Sequence, residues 1–93
     1  MYRWRFLISG AVQGVGFRFA TYRFVLTYTP KLKGHVRNTK DGLVEIVAEG
    51  DTIDLQKLHE FALQGPTHSQ VEGVEVEKEE IKKANYKDFL IKD

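Results

Sequence analysis

The residues best equipped for chemistry lie in two short stretches, Gly10-Ala-Val-Gln-Gly-Val-Gly-Phe-Arg18 and Gly34-His-Val-Arg-Asn-Thr-Lys-Asp-Gly42. The first punctuates a loop with glycines and closes on an arginine. Gly10, Gly14 and Gly16 can take positive φ without a Cβ penalty, and they let a ligand approach the backbone closely. Successive N–H groups in such a turn converge on an anion, and a helix starting there adds unpaired donors and partial positive charge. Arg18 falls in the first turn of that helix, where its planar fork can hold two phosphate oxygens at once; a lysine cannot make that paired contact. Asn38, in the second stretch, brings a neutral carboxamide that can accept a hydrogen bond from water while its NH₂ contacts other acceptors. Together the stretches describe a small phosphate pocket with a group for positioning water.

Local composition alone leaves a second reading open, in which the glycines only shape a turn and Arg18 is a solvated helix residue. Neither common glycine signature decides the matter. Gly14-x-Gly16 lacks the third glycine of a dinucleotide loop, because Phe19 stands where it belongs, and no Gly-Lys-Ser/Thr comes after it to make a P-loop.

The elements that must position these residues are set by periodicity. Tyr2, Trp4, Phe6 and Ile8 alternate with Arg3, Arg5, Leu7 and Ser9, the pattern of a half-buried strand. Beyond the loop, Phe17, Ala20, Thr21, Phe24, Val25 and Tyr28 form one stripe of an amphipathic helix ended by Pro30. Lys33 to Asn38 and Leu43 to Glu49 read as strands joined by Thr39-Lys-Asp-Gly42, an Asp-Gly hairpin signal. Asp51 is a candidate N-cap for a second helix with Leu55, Leu58, Phe61 and Ala62 inside, stopped by Gly65-Pro66. Val74 and Val76 mark a further strand, with Val71 out of phase and a bulge or an earlier bend expected. Lys78 to Lys83 reads as a charged turn, and Phe89 and Ile91 share parity in a short final strand.

The order β-α-β-β-α-β plus a terminal strand predicts an α+β fold, the ferredoxin-like split βαβ: an antiparallel sheet with two helices on one face. At 93 residues the chain is expected to be one domain over 1–93, with a core sufficient without staples. It has no cysteine, which removes disulfides and thiolate metal sites and makes a reducing, cytoplasmic setting the default. No segment approaches membrane-spanning length. Net charge is +1, but residues 1–42 carry eight Lys/Arg against Asp41 alone, whereas residues 43–93 carry six basic and twelve acidic residues. The basic half suits an anionic ligand, small or polymeric; ordinary solvated faces interleaved by the fold would give the same asymmetry.

Gly10-x-Val12-Gln13-Gly14-Val15-Gly16-Phe17-Arg18, with Gly34-x-Val36-Arg37-Asn38-x-x-x-Gly42-x-Val44-Glu45 downstream, resembles the acylphosphatase family in residues and spacing. Gly50, Gln64-Gly65-Pro66 and the stretch from Val71 to Val76 extend the likeness over essentially the whole chain. The resemblance implies hydrolysis of the carboxyl–phosphate bond of acyl phosphates without metal or organic cofactor. It implies that the loop amides of Gln13, Gly14, Val15, Gly16, Phe17 and Arg18 surround the phosphate, that Arg18 binds it, and that Asn38 orients the attacking water. Two departures stand out. His35 replaces a usual aromatic, which raises the expectation of altered packing near the pocket and of activity that titrates with the histidine. Thr29-Pro30-Lys31-Leu32 replaces a Leu-Gly-Leu-type helix exit.

The remaining candidates have blander readings. His35, His59 and His68 lack metal spacing, and no nearby acid–His pair suggests a catalytic dyad. Arg37 should point to the sheet face opposite Asn38, and Arg23 away from Arg18. Glu72, Glu75, Glu77, Glu79 and Glu80 read as a strand's wet face. RNA-recognition modules share this β-α-β-β-α-β order, but they stack bases on aromatics of the third strand. Here that strand, Leu43 to Glu49, has two acids and no aromatic, so no nucleic-acid partner is expected. A third alternative is a carbamoyl-phosphate-handling domain of the kind found in hydrogenase-maturation proteins. A monomer acting on a small-molecule acyl phosphate is the expectation.

Overall fold

The computed structural model describes residues 1–93. Its elements are β1 (Tyr2–Ala11), α1 (Phe17–Tyr28), β2 (Lys33–Asn38), β3 (Val44–Gly50), α2 (Thr52–Gln64), β4 (Gln70–Glu80) and β5 (Phe89–Ile91). The sheet runs β4-β1-β3-β2-β5, and both helices cover the face that carries Trp4, Phe6, Ile8, Val36, Val44 and Ile46. Those side chains are buried because strand alternation sends every second residue beneath the helices. From above, α1 contributes Phe17 and Val25 to the core, and α2 contributes Leu55, Leu58 and Ala62. The helices meet through Phe61, which stacks on Phe24 at 4.7 Å between ring centroids and meets Phe17 edge-on at 6.0 Å.

Most expected elements are present, with specific corrections. The four long strands pair antiparallel, but β5 lies parallel to β2, so the sheet is mixed. The buried stripe of α1 is narrower than its periodicity suggests: Phe17, Thr21 and Val25 are buried, whereas Tyr28 is exposed. Asp51 caps α2 as expected, its carboxylate accepting from the Asp54 N–H at 2.9 Å. The expected bulge lies where the β1–β4 register shifts between Ser9 and Gly10, leaving Glu72 unpaired between Val71 and Gly73.

The largest correction concerns residues 78–80, which extend β4 rather than form a turn. Glu79 and Glu77 each pair with an arginine of the neighbouring strand, Arg3 at 2.7 Å and Arg5 at 3.0 Å. On the other face, Lys78 Nζ sits 4.1 Å from the centroid of the Trp4 ring. Cross-strand partners hold the pairing in a segment whose own composition favours solvent.

The sheet topology determines where the chemistry-bearing residues fall. Both β1 and β2 run antiparallel to the intervening β3, and β5 runs parallel to β2. Strands β1, β2 and β5 therefore point the same way, and their C-terminal ends gather at one end of the sheet. The glycine loop leaves the end of β1, Asn38 closes β2, and Lys92-Asp93 extends beyond β5.

Candidate active site

At that end, Ile8 pairs with Val44 and Val44 with Asn38, which fixes Asn38 two strands away from β1. Asn38 shares the helix-side face with Val36, so its side chain projects towards the start of α1. The chain leaves β1 through a tight turn, with Val12 N–H donating to the Gly10 carbonyl at 3.0 Å and the Val12 side chain buried. Gly14 and Gly16 then adopt the left-handed region at φ 76° and 80°. Gly16 is the N-cap of α1, and its carbonyl accepts the first helical bond, from Ala20 N–H at 3.0 Å.

The loop's donors are left over. None of the N–H groups of residues 13–16 donates to a main-chain carbonyl. Those of Phe17 and Arg18, in the first helical turn, have no intrahelical acceptor. A methyl group placed on Gly14 or Gly16 would meet no protein atom within 4 Å, so the space in front of both residues is open. Gly14, Gly16, Phe17, Arg18 and Asn38 line one cavity of about 330 Å³, a volume suited to a small molecule. Of the expected site residues, Gln13 and Val15 do not line it. Val15 packs against the hydrophobic core, and the Gln13 carboxamide donates to the carbonyls of Thr39 and Leu43, both at 2.9 Å.

Four further residues belong to this end of the molecule and were not singled out from the sequence. Phe19, Ile91 and Asp93 line the same cavity. Lys92 carries its main chain to Arg18: Arg18 Nη1 donates to the Lys92 carbonyl at 3.2 Å and lies 3.9 Å from Asp93 Oδ1. Lys92 is itself held by its N–H, which donates to the Val36 carbonyl at 2.8 Å. The parity of Phe89 and Ile91 indicated a strand, but no local signal gave its partner.

A second charged cluster occupies the opposite, helix-free face. Glu45 is buried there, and accepts from Arg37 Nε at 2.6 Å, Arg5 Nε at 2.7 Å and His35 Nε2 at 3.2 Å. Burial pushes the Glu45 carboxyl up, but the hydrogen bonds from Arg37, Arg5 and His35 outweigh it and hold the pKa at about 2. Glu49, also buried, accepts from Arg3 Nε at 2.9 Å and from the N–H groups of Asn85 and Tyr86. One expectation changes here: His35, paired with Glu45, lies across the sheet from the cavity, edge-on to Tyr86 at 5.6 Å, so it does not pack near the pocket. His59 packs on Trp4 and Phe6, and burial, helped by Lys78, lowers its pKa. His68 does not line the cavity either. The charge asymmetry is also explained: Arg3 and Arg5 of the basic half pair with Glu45, Glu49, Glu77 and Glu79 of the acidic half. The face that would have to bind RNA is self-neutralised.

These features define a ferredoxin-like α+β fold with a polar cavity at the common end of three strands. Comparison with known proteins narrows the class. The Acylphosphatase family model matches residues 4–91. The Acylphosphatase of Pasteurella multocida is 40% identical over 92 residues, 99% of each chain. That of Synechococcus sp. strain CC9311 is 51% identical over 72 residues, covering 77% of this chain and 78% of its own. The crystal structure of acylphosphatase from Bacillus subtilis superposes with a TM-score of 0.91 at 34% identity, covering 100% of both chains. Full-length HypF, in its phosphate- and nucleotide-bound form, matches all of this chain but only 12% of its own, with a TM-score of 0.78 and 32% identity. This chain belongs to the acylphosphatase family. Its activity is the hydrolysis of acyl phosphates. No helix is long and apolar enough to cross a membrane.

Proposed function

We propose that the N–H groups of residues 13–18 and the Arg18 guanidinium grip the phosphoryl group of an acyl phosphate while Asn38 steers a water molecule onto phosphorus. The observation carrying this reading is that Arg18, Asn38, Gly14 and Gly16 share one cavity, next to N–H groups that no main-chain carbonyl engages. Arg18 Nη1 is turned to Lys92, which leaves Nε and Nη2 as the pair for two phosphoryl oxygens.

The chemistry asks little else of the protein. In an in-line displacement, water attacks from the side opposite the carboxylate, the P–O bond to the acyl group breaks, and the carboxylate leaves with the electron pair. That leaving group needs little proton assistance. Catalysis can therefore rest on orientation and on donors aimed at the equatorial oxygens, where negative charge is concentrated. Asn38 has no basicity, so its part is orientation through its carbonyl. The reading requires no metal or organic cofactor, and it places a monomeric, single-domain enzyme of residues 1–93 in the cytoplasm.

The test is benzoyl phosphate hydrolysis in the presence of chelator, for the wild type and for Arg18→Ala and Asn38→Ala, each checked for folding by circular dichroism. Each substitution should lower turnover by at least ~10²-fold, the scale on which removing one preorganised donor acts. A folded variant with wild-type turnover removes that residue from the mechanism, and turnover lost to chelator contradicts the metal-free reading.

A further inference from the structure

The phosphoryl group and the water account for the loop amides, Arg18 and Asn38, but not for the rest of the cavity wall. Buried Val12 and the exposed Phe19, Ile91 and Asp93 remain, and with the proposed phosphoryl site occupied the last three are the surface left to meet the acyl group. Phe19 and Ile91 are large apolar residues that stay substantially exposed, and the cavity gives that exposure a use. Asp93 adds one negative charge to this wall, with Oδ1 3.9 Å from Arg18 Nη1.

We infer that Phe19, Ile91 and Asp93 form the acyl side of the pocket, and that Asp93 selects against acyl phosphates whose acyl group carries a further negative charge. The inference rests on the phosphoryl-binding role proposed for the loop and Arg18. Once a phosphoryl group engages Arg18, the guanidinium charge is satisfied by substrate and the Asp93 carboxylate is left facing the acyl group. An uncharged acyl group can lie against Phe19 and Ile91. A carboxylate at the same place meets a like charge at the exposed rim of the cavity, where the repulsion is modest and screened by salt.

Asp93 is held near the pocket by the sheet. Lys92 N–H donates to the Val36 carbonyl at 2.8 Å, and the Lys92 carbonyl receives Arg18 Nη1 at 3.2 Å, so the residue before Asp93 is fixed at both of its main-chain polar groups. The Asp93 side chain itself is fully exposed, which limits the effect to the size typical of exposed charge pairs and makes it sensitive to salt.

The test compares two substrates of equal size, 4-carboxybenzoyl phosphate and 4-carbamoylbenzoyl phosphate, which differ in one charge. The ratio of their kcat/KM values is measured at low ionic strength for the wild type and for Asp93→Asn, with Arg18→Ala run alongside. The wild type should prefer the carboxamide, and Asp93→Asn should reduce that preference by about 2- to 5-fold, the range expected of an exposed charge pair. The change should appear in KM rather than kcat. The wild-type preference should also shrink as salt is raised to about 0.5 M, where the Debye length falls to a few ångströms. An unchanged ratio in Asp93→Asn overturns the inference. If Arg18→Ala is inactive in that same experiment, the phosphoryl-binding reading stands without it; if Arg18→Ala hydrolyses both substrates normally, the underlying reading has failed instead.

Discussion

Gln13 and Thr39 are joined by a hydrogen bond at the edge of the cavity: Gln13 Nε2 donates to the Thr39 carbonyl at 2.9 Å, and to that of Leu43 at the same distance. Thr39 directly succeeds Asn38, so one side chain ties the glycine loop to the strand end that carries Asn38. Gln13→Ala keeps the backbone N–H but removes this tether. Two exposed hydrogen bonds contribute only about 1–2 kcal/mol together. We therefore expect a small change in Tm and roughly a 10-fold fall in kcat/KM, as the loop samples geometries in which its amides diverge. Unchanged kinetics would show that the loop holds its shape without Gln13.

Two glycines should respond to alanine in opposite ways. Gly34 lies in β2, where an added Cβ would collide with the Val47 carbonyl oxygen of the neighbouring strand. Gly34→Ala should therefore cost several kcal/mol and compromise folding. Gly16, at φ 80°, has no protein atom in the way of a Cβ, so its substitution costs only the left-handed backbone penalty, about 1–2 kcal/mol. Gly16→Ala should fold, melt a few degrees lower, and lose most of its activity as the loop turns its amides aside. Thermal melts and benzoyl phosphate assays on the pair separate the two effects.

The buried Glu45 predicts a pH dependence of stability that does not involve the cavity. Its folded pKa of about 2 lies below the ordinary value of 4.5. The ionised carboxylate therefore contributes stability that is fully present above pH 4.5 and is lost as pH falls from there to about 2. The depression corresponds to roughly 3 kcal/mol. Denaturant unfolding at a series of pH values should show this loss in the wild type and a flatter profile in Glu45→Gln, which begins less stable at neutral pH. Parallel profiles for the two proteins would remove Glu45 from the acid response.

What the sequence disclosed was local. Glycine spacing and the helix start located the loop and Arg18, and strand parity put Asn38 and Arg37 on opposite faces, where they are found. The same parity puts His35 with Arg37 and away from the pocket, although comparison with the usual aromatic at that position suggested otherwise. What remained hidden depends on partners far along the chain. Residues 78–80 are strand because of Arg3 and Trp4, more than 70 positions earlier. The parallel pairing of β5 with β2 sets Lys92 against Arg18, 74 residues apart, and neither segment carries a mark of the other. The burial of Glu45 and Glu49 was hidden for the same reason: the arginines that cover them come from other strands.

Titration of ¹⁵N-labelled protein with inorganic phosphate, observed at each main-chain amide, tests the phosphate grip itself. Residues 13–18 and the Arg18 Nε–H should shift together along one saturation curve, with a Kd equal to the inhibition constant of phosphate against benzoyl phosphate. Shifts confined to Arg3, Arg5 and Arg37 on the opposite face, with residues 13–18 unmoved at saturation, would contradict it.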